Sequence, residues 1–94
     1  MVYLSPVRRA GKIDPPVYTA HLFADSVEEL VRFAAGLGLP MHRLFFRAWR
    51  LPVYVLVGRR VEAARQRGAK EADQATYDAY VLRAEKGEWN VLMQ

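Results

Sequence analysis

The 94-residue chain contains no cysteine. Disulfides, thiolate nucleophiles and thiolate metal sites are thereby excluded, and a reducing compartment fits the composition. It also lacks any run of about eighteen apolar residues, the length a helix needs to cross a bilayer. The opening M-V-Y-L-S-P-V-R-R has none of the ordered basic, apolar and small-residue regions of a secretory signal. We therefore expect a soluble, cytoplasmic protein with no membrane partner. Histidine is scarce, with only His21 and His42 present. Ser5, Thr19, Ser26 and Thr76 stand in no nucleophile motif such as G-x-S-x-G, so no catalytic nucleophile is assigned. Gly36-Leu37-Gly38 follows a helix where a phosphate loop would open one, and reads as a helix stop. No internal repeat, low-complexity segment or linker interrupts the chain.

What is there is most legible from His21 to Pro40. Val17 to Phe23 is β-branched and aromatic, too short for a helix, and predicts a strand. Asp25 and Ser26 can each accept from the free N–H groups of a first helical turn, with Glu28 or Glu29 as the reciprocal capping partner. Val27, Leu30, Val31, Ala34 and Leu37 then form one apolar stripe opposite Glu28, Glu29 and Arg32. Gly38 and Pro40 end that helix. Before it, Val2 to Leu4 predicts a short strand and a loop follows, punctuated by Pro6, Gly11, Pro15 and Pro16. After it, strands are expected at Leu44 to Phe46 and at Val53 to Val57. The second, an unalternating apolar run, reads as a central parallel strand buried on both faces. Gly58 opens a second helix with Val61 and Ala64 on its apolar side and Gly68 at its end. Ala69 to Ala72 predicts an edge strand. Asp73 caps a third helix with Tyr77, Tyr80, Val81 and Ala84 facing one way, ended by Gly87. The apolar tail W-N-V-L-M-Q is expected to pack on the body. Alternating strands and helices predict one α/β domain over residues 1–94: about four strands, mostly parallel, and about three helices.

The formal net charge of +4 lies in the middle of the chain. Residues 1–40 balance. Between Met41 and Arg67 stand seven arginines (Arg43, Arg47, Arg50, Arg59, Arg60, Arg65 and Arg67) against Glu62 alone. From Glu71 onward the balance is acidic. The hydrophobic fraction of 52% is generous for a small domain and leaves apolar surface that a homodimer would cover.

The order H-L-x-A-D (His21, Leu22, Ala24, Asp25), E-E-L (Glu28, Glu29, Leu30), Gly38-Leu39, Phe45-Phe46, Tyr54, then Arg60, Ala64 and Gly68-Ala69 resembles the bacterial and phage family known as domain of unknown function 4031. The likeness spans His21 to about Asp73 and implies a fold more than an activity. Family members carry Y-V-D on the first strand and P-H-Y-D on the tyrosine strand; here the corresponding residues are Tyr3-Leu4-Ser5 and Pro52-Val53-Tyr54-Val55. Two carboxylates and a histidine are missing.

Two functional classes remain. The stretch M-H-R-L-F-F-R-A-W-R interleaves arginines with aromatic rings, so phosphates can pair with guanidinium groups while a ring stacks on an exposed base. Arg43, Arg47, Trp49, Arg50, Arg59 and Arg60 are the candidate residues for nucleic acid or another polyanion. The structural alternative has Phe45 and Phe46 in the core and the arginines as a solvated rim. Gly58, beside Arg59 and Arg60, either meets a phosphate with backbone N–H groups or simply makes a turn. The second class is a small metal-dependent hydrolase or nuclease-like enzyme centred on His21 and Asp25, with His42 as a third ligand, a set suited to zinc, manganese or iron. Its structural alternative has Asp25 capping the helix and His21 half-buried in its strand. Assembly with another protein through the tail and basic helix is a third outcome.

Overall fold

The structure, a computed structural model, describes residues 1–9, 15–47 and 51–86, with only the backbone of Phe46 and Arg47. Trp49, Arg50, the helix stop at Gly87 and the apolar tail lie outside the described residues. Six strands and three helices follow the order β1 (Val2–Leu4), β2 (Arg8–Arg9), β3 (Tyr18–Ala24), α1 (Val27–Gly36), β4 (Phe45–Arg47), β5 (Leu51–Val57), α2 (Arg59–Gln66), β6 (Lys70–Glu71) and α3 (Gln74–Glu85). A 3-10 turn, Met41–Arg43, precedes β4.

The strands lie in the order β4-β5-β3-β1-β6, and β2 pairs with β3 beyond the end of β1. Against expectation, the sheet is mixed and mostly antiparallel. Only β1 and β6 run parallel; β1, β2 and β5 all meet β3 antiparallel, and β4 meets β5 antiparallel. The apolar run of β5 is therefore not a parallel strand. Residues 51–54 are buried on both faces because helices cover both, and cover from two sides does not depend on strand direction.

Side chains alternate between the faces. Ala20, Leu22 and Ala24 of β3 and Tyr54 and Leu56 of β5 join Leu30 and Ala34 of α1 and Val61 and Ala64 of α2 in one core. On the other face Phe23, Leu51 and Val53 meet Tyr77 and Ala84 of α3, with Tyr3, Tyr80 and Val81 at the margin. Tyr3, Phe23, Tyr77 and Tyr80 form a chain of ring contacts with centroids 5.0–5.4 Å apart. These tilted and offset arrangements are the favourable ones for aromatic pairs. The cover of α3 stops short of the far end of β5, where Val55 and Val57 are 44% and 50% exposed.

The chain takes four steps from Leu4 to Arg8 opposite three from Thr19 to Leu22. One extra residue makes a bulge at Ser5–Val7, a device that re-aims side chains. At the bulge the Ser5 N–H donates to the His21 carbonyl at 2.9 Å, and the His21 N–H donates to Ser5 Oγ at 2.8 Å. The serine hydroxyl stands in for a ladder carbonyl.

Candidate functional site

Two polar regions follow from this topology, one on each face of the sheet near the start of β3. The first is a cleft of about 200 Å³ beside the bulge, lined by Ser5, Pro6, Arg8, Thr19, Ala20, His21, Gln74 and Tyr77. His21 and Thr19 point there because they share the α3 face of β3, and the bulge opens the space in front of them. Tyr77 Oη lies 2.5 Å from His21 Nδ1, with the two rings edge to face. Arg8 donates to Gln74 Oε1 at 2.5 Å, and Gln74 Nε2 donates to Asp78 at 2.8 Å. The side-chain amide thus holds the guanidinium at the rim.

The second region is the end of the sheet on the opposite face. Arg9 stands directly opposite Tyr18 in register, and the Tyr18 carbonyl accepts from the Gly58 N–H at 2.9 Å. Gly58 has φ 60° and ψ −120°, a conformation open to glycine, and hands the chain straight into α2. Arg59 and Arg60 are the first helical residues. Both are exposed, and their side chains make no hydrogen bond or ion pair among the described residues. Among the described residues no side chain caps the first turn, so its free N–H groups reinforce the positive end of the helix. Tyr18 is 47% exposed beside them.

The described arginine positions of the middle segment are spread along the sheet. Arg47 pairs with Leu51 at the start of β5, while Arg59 and Arg60 follow its end. The seven residues of β5 hold these positions roughly 20 Å apart. Arg43 is exposed in the 3-10 turn, and Trp49 and Arg50 fall outside the described residues. Arg65 is spent on Glu62 and Glu71, and Arg67 lies over the Phe33 ring at 5.7 Å. Neither Arg9 nor Tyr18 stands out in the sequence. The signal that finds them is pairing register, which places a two-residue basic strand against an aromatic strand end.

The proposed metal set is also separated. His21 and Asp25 lie four residues apart along an extended strand, roughly 13 Å, and His42 is exposed in the 3-10 turn. Among the described residues no three His, Asp or Glu side chains are grouped to hold a metal ion. Asp25 does not cap α1. Ser26 does, with Oγ accepting from the Glu29 N–H at 3.2 Å. Asp25 instead accepts from the Tyr80 hydroxyl at 2.5 Å and pairs with the amino-terminal ammonium at 3.2 Å. Partial burial pushes its carboxyl up, but the Tyr80 bond and the ammonium hold it below the usual carboxylate range overall.

Among the described residues no helix is long and apolar enough to cross a membrane. No protein-family model, curated protein or solved structure matches the chain.

Proposed function

We propose that the protein is a non-enzymatic binding domain for polyanions, single-stranded nucleic acid in preference to duplex, acting through the sheet end formed by Arg9, Tyr18, Arg59 and Arg60. The observation that carries this reading is the exposed Tyr18 ring between a cross-strand arginine and the uncapped, arginine-bearing start of α2. A phenol ring stacks on any unpaired base and contributes about 1–3 kcal/mol per base stacked. Guanidinium groups on both sides pair with the adjoining phosphates, and the helix N–H groups add donors for a phosphate oxygen. A duplex hides its base faces, so only the phosphate contacts remain for it.

Titration of a labelled single strand and its duplex at two salt concentrations tests this. The single strand binds more tightly, and its log affinity falls with log salt in proportion to the phosphates engaged, about 0.7 per contact. Arg59→Gln combined with Arg60→Gln lowers that slope by about one to two. Tyr18→Ala weakens the single strand at least about fivefold and leaves the duplex little changed. Absence of binding at low salt would refute the proposal.

A further inference from the structure

The cleft beside the bulge takes no part in the polyanion site, because Arg8 and Thr19 face α3 while Arg9 and Tyr18 face the other way. Ser5 is only 7% exposed, and its oxygen accepts the His21 N–H. A hydroxyl also carries a proton to donate. That O–H has no acceptor among the described residues, and a buried donor left unspent is costly. Thr19, on the neighbouring strand, likewise makes no side-chain hydrogen bond among the described residues. Among the described residues Arg8 is the one arginine, lysine or carboxylate lining the space, and one contact to Gln74 leaves most of its five N–H donors in hand. No carboxylate among the described residues lines the cleft. Asp78 is reached only through the neutral Gln74 amide.

We propose that this cleft binds a small phosphate monoester. Three donors on separate strand segments, Ser5 at the bulge, Arg8 on β2 and Thr19 on β3, converge on a volume below the usual range for drug-sized ligands. A tetrahedral oxyanion offers a separate oxygen to each of three such donors. A carboxylate, with two oxygens in one plane, leaves one unmet. His21, its ring oriented by Tyr77, forms the wall against which the ester substituent rests.

Backbone amide NMR of the whole chain titrated with glycerol phosphate tests the assignment. The amides of Ser5, Val7 and Arg8 and of residues 19–21 shift saturably. Arg8→Gln weakens binding at least about tenfold, the expected effect of a charge-assisted bond. Thr19→Val, close in shape, weakens it less. Arg8 is exposed and Thr19 only partly buried, so both variants keep the wild-type amide spectrum. Arg59→Gln leaves the phosphate affinity unchanged while it lowers nucleic-acid affinity, which separates failure of this site from failure of the polyanion site. Competition by a 5′-phosphorylated dinucleotide assigns the monoester to a strand end; lack of competition assigns it to a free small molecule. Three results would overturn the proposal: no saturable shift at about 20 mM ligand, a weak millimolar regime already; shifts confined to residues 58–61; or full affinity in Arg8→Gln.

Discussion

Tyr54 lies fully inside the first core, and its hydroxyl has no hydrogen-bond partner among the described residues. Burial pushes the phenol pKa up, since a phenolate there would be stranded without water. The ring is well used, packed between β3 and the helices, but the oxygen is a liability. Removing an unpaired buried hydroxyl while keeping the ring lifts a desolvation penalty and leaves no donor orphaned. Tyr54→Phe should therefore raise stability by about 1 kcal/mol. In urea this appears as a higher midpoint at unchanged slope. A lower midpoint would show that the hydroxyl is satisfied in solution. The sequence marks Tyr54 only as one residue of an apolar run. Nothing in V-Y-V-L-V tells a paired hydroxyl from an orphaned one, because the partner would come from a distant element.

At the scale of elements much more was legible, because the deciding interactions are local. Ser26 and Asp73 cap their helices by accepting from Glu29 and Thr76, each three residues ahead in the chain. The apolar stripes of α1, α2 and α3 each face a core as their spacing predicts. β1 has the limits expected, and those of β3 and β4 are shifted by about one residue, within the ordinary uncertainty of strand ends. Gly58 is the junction where local chemistry bears most directly on function. A Cβ added there meets nothing within 4 Å, so any cost to Gly58→Ala is conformational and not steric. At φ 60° and ψ −120° that cost is about 1–3 kcal/mol. Gly58→Ala should lower the urea midpoint accordingly and shift the Arg59 and Arg60 amides, because relief of the strain re-aims the start of α2. A variant with wild-type stability and spectrum would show that the turn is not held in this conformation.

At the scale of the whole molecule the sequence misleads for a definable reason. Alternating strands and helices predict crossovers between neighbouring parallel strands; α1 and α2 do link strands of one direction, but neither links neighbours. From β3, α1 leads to β4, which runs the same way; β5 then turns back and inserts between them. From β5, α2 crosses over β3 and β1 to reach β6. Strand order is set by long-range pairing that no local pattern records, and the two polar regions depend on it entirely. His21 meets Tyr77 only because α3 comes last and takes the uncovered face. That late layer is tied down by carboxylates. Asp73 caps its start, and its carboxyl is held below the usual range by the Thr76 backbone N–H. Asp25 accepts from Tyr80 farther along the helix and is also lowered. A carboxyl group with a depressed folded-state pKa stabilises the fold above its unfolded value, about 4, and loses that contribution as pH falls through the lower folded value. Acidification from about pH 6 to about pH 3 should therefore reduce the urea midpoint, with α3 amides the first to lose exchange protection. Tyr80→Phe removes one of the bonds that favour the Asp25 carboxylate, so Asp25 should titrate nearer the ordinary range and the acid-induced loss should shrink. An unchanged midpoint across that interval, or an Asp25 titration indifferent to Tyr80, would show that these carboxylates do not anchor the layer.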